Sequence, residues 1–373
     1  MLSKFKIFLD ARLAFAALFD AIKESQKHVH INSFIWRNDV IGRNLLTALE
    51  AAAKRGISVH IQKDRGGWLF ERSEENGSSL FHPTDWRLLP VARFLNAAYY
   101  PCWVKEPAPP PSELPWILAH PKLELVSGRN SDHSKFVIVD DRILFLGGLN
   151  IEDRFISRSS LGQNWQDLFI RIQDPNIVSQ FIERLYGGTP GLGPIDFILN
   201  DPSGHPKRRF EWKARVLDVL NVATRSLTIA VAYHGDKEVM AALGKCLQRG
   251  VAITMLFSEY SNMQHQLNLQ CARRLYDQGA HIHLWPGMFH GKALIIDDVA
   301  ILGSANLNRS SSCMGETDLF VENKGEGEPL YSAIKSAVNC LVSQGRRAER
   351  LDLGRFSLRQ LLESNLSKFQ PRG

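Results

Sequence analysis

The stretch that begins at Leu227, "LTIAVAYHGDKEVMAALGKCLQRGVAITMLF", reads strand, helix, strand, and the chain has said the same thing once before. "HVHINSFIW" has the pattern of a strand, "GRNLLTALEAAAKRG" has helical spacing up to Gly56, and "ISVHIQKD" returns to a strand. The second helix stops at Gly250 as the first stops at Gly56. Each unit then leads to one copy of a second motif: "HSKFVIVDDRILFLGGLN" at 133–150 and "HGKALIIDDVAILGSAN" at 290–306. Such a repeat predicts a duplicated α/β lobe, a parallel-rich sheet with helices on its faces.

At 373 residues the chain is long enough for two such lobes. The Gly- and Pro-dense "GGTPGLGPIDFILNDPSGHPKRR" places a boundary near residue 200, giving a first lobe over 1–200 and a second over 201–373. The first lobe is longer ahead of its motif. The excess, about 80–118, contains "WRLLPVARFLNAAYYPCWVKEPAPPPSELPWIL". Its aromatics, Trp86, Phe94, Tyr99, Tyr100, Trp103 and Trp116, suit either a lipid-facing wall or a satellite core under a long loop.

A net charge of +6 and a pI near 9.0 favour an acidic partner, a phosphodiester backbone or an anionic lipid surface. Cys102, Cys246, Cys271, Cys313 and Cys340 are scattered and odd in number, so neither a disulfide framework nor a zinc site is expected, and a reducing compartment fits best. The N-terminal apolar stretch is interrupted by Asp10 and Arg12 and recurs at helical spacing through Phe19 and Ile22. It reads as an amphipathic helix on the first lobe rather than an export signal. The basic tail with Leu353, Leu358, Leu361, Leu362, Leu366 and Phe369 reads as a helix packed on its own domain with a solvated basic face, the alternative being a helix that lies on an anionic surface. No stretch offers the roughly 20 apolar residues that span a bilayer.

The motifs carry the chemistry. Alternate strand residues share a face, so His133 points with Lys135 and His290 with Lys292. "FVIV" and "ALII" continue as strands buried on both faces, Asp140 and Asp297 end them, and return segments bring Gly147, Gly148, Gly303, Ser304, Asn150 and Asn306 back beside the start. A pseudo-twofold arrangement of two His, two Lys and two Asn suits a phosphodiester, with small residues letting backbone amides approach the anion. Two imidazoles divide the work. One, neutral, attacks phosphorus and forms a phosphohistidine; the other, protonated, supplies the leaving oxygen with its proton. Asp167 in "NWQDLFIRI" and Glu316 in "MGETDLFVE" are candidate carboxylates behind the imidazoles, or else surface acids at strand starts.

His-x-Lys, four residues, Asp, then Gly-Gly or Gly-Ser and Asn, twice in one chain, resembles the phospholipase D superfamily. "GGLNIEDRF" with "WQDLFIRIQDP", and "FHGKALIIDD" with "GSANLNRSS", most resemble its bacterial cardiolipin synthase branch. The resemblance implies two α/β/α sandwich lobes sharing one active site, no cofactor and no metal, and phosphatidyl or phosphodiester transfer through phosphohistidine. It makes His133 the nucleophile and His290 the general acid, later the base. Lys135 and Lys292 complete the catalytic set, to which Asp140 and Asp297 are added although the motif aspartate is usually structural. Asn150, Ser304 and Asn306 are expected to bind substrate.

Two departures leave the His-Lys pairs intact: Gly148 stands where many members have Ser, and the turn after Asp297 is one residue shorter than that after Asp140. The membrane-spanning helices that many cardiolipin synthases carry are not seen, so a peripheral monomer at the inner, cytoplasmic face of the membrane is expected, acting on an anionic phospholipid. A nuclease of the same superfamily is the alternative. An inactive scaffold is disfavoured by the retained charged groups.

Overall fold

The computed structural model describes residues 4–64, 67, 71, 123–127, 131–156, 165–191, 193–202, 209–261, 264–324, 329–350 and 352–353. The aromatic insertion at 86–116 and the tail beyond Leu353 lie outside them.

The duplication extends to every strand of a seven-strand core. The first sheet contains β1 (Phe5–Phe8), β2 (His28–Ser33), β3 (Ser58–Lys63), β4 (Leu123–Ser127), β5 (Phe136–Val139), β6 (Ile143–Gly147) and β7 (Phe169–Ile172), in the order β1-β7-β6-β5-β2-β3-β4. The second contains β8 (Ile195–Asp201), β9 (Arg209–Phe210), β10 (Ser226–Val231), β11 (Ala252–Ser258), β12 (His281–Trp285), β13 (Lys292–Ile296), β14 (Val299–Gly303), β15 (Glu316–Glu322) and β16 (Arg346–Arg347). Its order, β16-β12-β11-β10-β13-β14-β15-β8-β9, repeats the first with a short strand added at each edge.

Only β2-β3-β4 and β10-β11-β12 run parallel; the motif strands and their neighbours pair antiparallel. The expectation of a parallel-rich sheet is corrected accordingly. Each motif strand returns through a tight turn, which forces antiparallel pairing. Asp140 and Asp297 occupy those turns with φ of 55° and 48°, a left-handed conformation that Asp tolerates better than most side chains.

Local signals explain the helices. Asp39 and Asp236, at matching places in the two units, cap the helices Val40–Lys54 and Lys237–Gln248 by accepting from Gly42 N (3.0 Å) and from Glu238 N and Val239 N (3.0 and 3.1 Å). Gly56 and Gly250, φ 92° and 84°, then take the left-handed residue that stops each helix. The N-terminus splits in two. Phe5–Phe8 pairs with β7 as an edge strand, and the amphipathic helix begins only at Ala11, where the Asp10 side chain accepts from Arg12 N at 2.9 Å.

The motif strands are buried on both faces. Val137 and Val139 pack in the core formed with the helices Ala11–Glu24 and Val40–Lys54, and Leu294 and Ile296 do the same in the second lobe. Phe136, Ile138, Ala293 and Ile295 face the other way, into a third core. That core takes side chains from both sheets and from the helices Pro175–Leu185 and Pro329–Gln344, so the lobes share apolar interior rather than merely touching. This fixes the two motifs relative to each other.

Candidate active site

His133 and Lys135 lie in the extended lead-in just before β5, and His290 just before β13, whose first residue is Lys292. Each lead-in is tied to the opposite half. His133 N donates to Gly315 O (2.8 Å) and Gly315 N to Ser131 O (2.6 Å); His290 N donates to Gln166 O (2.6 Å) and Gln166 N to Met288 O (3.0 Å). Gly315 precedes Glu316, and Gln166 precedes Asp167. The backbone thus places each imidazole beside a carboxylate borrowed from the other lobe.

The side chains complete the exchange. His133 Nδ1 lies 3.1 Å from Glu316 Oε2, and His290 Nδ1 lies 2.7 Å from Asp167 Oδ2, with all four side chains largely or fully buried. A carboxylate on Nδ1 leaves Nε2 to work in the pocket. Lys135 Nζ donates to the His133 carbonyl at 2.6 Å; Lys292 Nζ donates to the His290 carbonyl and lies 2.9 Å from His290 Nδ1.

The small residues after β6 and β14 serve the carboxylates. A side chain at Gly148 would meet Asp167 Oδ1 at 2.3 Å, so the missing Cβ is the space Asp167 occupies. At the matching place Ser304 Oγ donates to Glu316 Oε2 at 2.6 Å and accepts from Thr317 N at 3.0 Å. Ser304, expected to bind substrate, instead holds the acid behind His133. Nor do these backbone amides face an anion: Gly148 N and Ser304 N donate to Leu168 O and Thr317 O, at 3.2 and 3.1 Å.

Asp140 and Asp297 do not enter the pocket. They sit at the far ends of the motif strands, about 16 Å along the chain from the lysines at ordinary strand rise. Asp140 accepts from Gln26 N, Lys27 N and His28 N at 2.7, 2.7 and 3.0 Å; Asp297 accepts from Thr224 N, Arg225 N and Ser226 N at 2.8, 3.0 and 2.8 Å. Each clamps the start of the neighbouring strand, and its backbone donors hold its carboxyl below the usual range against the opposing effect of burial. They are removed from the catalytic set on this geometry. Asn150 and Asn306 are buried at the glycine corner, and neither Oδ1 has a hydrogen-bond partner among the described residues.

The two dyads are electrostatically unequal. Burial, then the Lys135 charge, pushes His133 down to about 4, with Glu316 pulling the other way. Glu316 is itself held below its ordinary value despite burial, because His133, Lys135 and the Ser304 hydroxyl stabilise its charge. Burial and both lysines push His290 well down as well. Its partner Asp167 moves the opposite way from Glu316, raised to about 7 by burial that the lysines offset only in part. Burial lowers Lys135 to about 8 and Lys292 to about 7. An anion between them would reverse that shift.

The surroundings also differ. His290 is enclosed by the rings of Phe155, Trp165 and Tyr233 at 5.6, 5.6 and 6.1 Å, whereas His133 meets Phe34 at 4.7 Å. None of these aromatics stood out in the sequence. "SFIW" and "VAYH" follow β2 and β10 as plain apolar continuations, and only the doubled topology brings their rings to the histidines.

Residues 216–337 match the family model described as cardiolipin synthase, PLD-like domain. Cardiolipin synthase 1 of Bacillus cereus is 26% identical over 336 residues, covering 81% of this chain and 60% of its own length. Cardiolipin synthase of Clostridium perfringens is 23% identical over 349 residues, covering 85% of this chain and 67% of its own. The chain therefore spans 60% of the length of the first of these relatives. Among solved structures, phosphatidylserine synthase of Haemophilus influenzae superposes with a TM-score of 0.67 at 12% identity, covering 99% of this chain and 94% of that one. Sequence and twin motifs agree in their likeness to the PLD-like bacterial cardiolipin synthases, and the fold is like that of the phosphatidylserine synthase.

Proposed function

We propose that the chain transfers or hydrolyses phosphatidyl groups on anionic phospholipids through a phosphohistidine on His133. The observation that carries this reading is the exchange of carboxylates between lobes, His133 with Glu316 and His290 with Asp167, beside Lys135 and Lys292. The likeness to cardiolipin synthases supports a phospholipid as the diester.

The lysines compensate the phosphate charge, and the two buried Asn amides supply further polar contacts to its oxygens. His133, neutral and oriented by an ionised Glu316, attacks phosphorus with Nε2. The P–N bond forms as the P–O bond to the leaving alcohol breaks, and Glu316 steadies the positive charge on the ring. Asp167 and His290 together hold the proton that the departing oxygen needs. It leaves from His290 Nε2 as the Asp167 proton moves to Nδ1, so the ring stays neutral and the negative charge comes to rest on Asp167, beside Lys292. In the second step the proton path reverses: His290 takes the proton of water or of a lipid hydroxyl, that oxygen attacks phosphorus, and His133 is released.

The chain would work as a monomer peripheral to the cytoplasmic face of the membrane; no helix among the described residues is long and apolar enough to cross it. The test is incubation of wild type and a His133→Ala/His290→Ala variant with phosphatidylglycerol vesicles, products being read by mass spectrometry beside a single-stranded DNA control. Cardiolipin or phosphatidic acid from the wild type alone supports the proposal and separates transfer from hydrolysis. Intact lipid with degraded DNA assigns the site to nucleic acid instead.

A further inference from the structure

A second cavity, of about 290 Å³, lies behind motif 1. Ser134 and Phe136, which line it, alternate with His133 and Lys135, and Thr317 alternates with Glu316, so it opens on the opposite side of the segments that carry the His133 dyad. Its volume is near the lower end for small-molecule sites.

The lining is polar in a particular way. Thr317 is 2% exposed and its Oγ1 has no hydrogen-bond partner among the described residues. A buried hydroxyl left in that state is costly, so it calls for a ligand or water. Gln62 is likewise buried and lines the same space. The lining also carries charge of both signs, Asp132 and Asp201 against Arg209, whose Nε has no hydrogen-bond partner among the described residues. Asp132 accepts from Ser134 N (3.0 Å) and Asn32 Nδ2 (3.1 Å), and Arg209 donates to the carbonyls of Arg184 (2.7 Å) and Leu185 (3.3 Å). Against these polar groups stands a ring surface, with His30 packed edgewise on His60 and Phe136 at 4.8 and 5.3 Å. Hydroxyl, amide and charged groups of both signs facing ring surfaces suit a molecule with many hydroxyls, each able to donate and to accept, and no net charge.

We propose that this cavity binds a small neutral polyol, from glycerol to monosaccharide in size, at a site separate from the catalytic pocket. The site goes beyond the lipid reaction and does not depend on it, because binding is read without turnover.

The experiment is saturation-transfer NMR on the full chain with glycerol, inositol and glucose, alongside glycerol 3-phosphate and putrescine as charged counterparts. Wild type, Thr317→Val, Gln62→Leu and His133→Ala/His290→Ala are compared, each checked for an intact thermal transition. The expected result is saturable binding of a neutral polyol, weakened tenfold or more by Gln62→Leu and by Thr317→Val and retained in the double histidine variant. Should Thr317→Val not fold, Gln62→Leu alone decides. Absence of saturable polyol binding, a preference for either charged probe, or loss of binding only in the histidine variant overturns the proposal.

Discussion

His133 and His290 stand just before equivalent strands, each with a lysine two residues on and a carboxylate at Nδ1, and yet they are differently provided. Behind His133 is a glutamate held ionised by the His133 ring, Lys135 and a serine hydroxyl; behind His290, itself enclosed by aromatic rings, is an aspartate that burial raises to about 7, packed against a glycine. Duplication made the frame, and the proposed division of roles rests on small differences at its corners. A neutral imidazole with an ionised partner is a nucleophile in waiting, while an imidazole whose partner keeps a proton is a source of one.

The comparison is broken most severely at the histidines. His133→Ala and His290→Ala are each expected to lower kcat by about 10⁴-fold or more, with little further loss in the double variant, since the two act as a unit. Full additivity in steady-state rates would show that they do not.

Next come the carboxylates, where activity falls in both variants but stability moves in opposite directions. Glu316→Gln should lose about 10²–10⁴ in kcat, as a misplaced imidazole tautomer does. The Glu316 carboxyl sits below its ordinary 4.5 in the fold, so its contribution to stability is present above that pH and lost as pH falls through the folded value. Glu316→Gln should therefore lower the Tm at pH 7. Asp167 titrates near 7 in the fold against 3.8 ordinarily, so from pH 3.8 to 7 the folded chain keeps a proton that the unfolded chain has released, and stability falls as pH rises. Asp167→Asn removes that loss, and its Tm should gain on wild type between pH 5 and pH 8. Thermal melts at the two pH values decide the matter; equal signs for the two variants would erase the asymmetry.

The alkaline limb of kcat/KM sharpens the role of the lysines. With Lys292 lowered to about 7 and Lys135 to about 8, the pocket loses positive charge as pH rises past these values, and kcat/KM for an anionic substrate should fall by up to tenfold per unit above pH 8. A flat profile to pH 10 would show that the lysines stay charged.

Smaller effects are expected at the corners. Ser304→Ala withdraws the hydroxyl from Glu316 and should slow the reaction about tenfold. Gly148→Ser drives a Cβ into the Asp167 carboxylate and should cost about 1–3 kcal/mol of stability as well as activity. Asp140→Ala should lower stability by about 1 kcal/mol, as the loss of a capping acceptor does, with kcat unchanged per folded molecule.

Much of this was legible in the chain. The strand-helix-strand repeat gave the two lobes, the His-Lys pairs marked side chains that the fold brings together, and Asp167 and Glu316 were visible as acids at similar places after the motifs. What could not be read was which acid serves which histidine. Periodicity reports the face of one strand, and the exchange depends on how two sheets meet across the core shared by Ile138 and Ile295. The glycines misled for a related reason: Gly148 looks like room for a phosphate, and only the register of β6 on β7 shows that Asp167 fills it. Phe5–Phe8 was absorbed into the helix that follows because four residues are too few to show a period.

The most direct measurement is to quench the reaction in alkali during turnover of phosphatidylglycerol and map the phosphorus-bearing peptide by mass spectrometry. The unequal dyads require the adduct on the peptide containing His133, and none on that peptide in His133→Ala. An adduct on His290 instead would reverse the assignment of the two halves, and turnover with no adduct on either would contradict covalent catalysis.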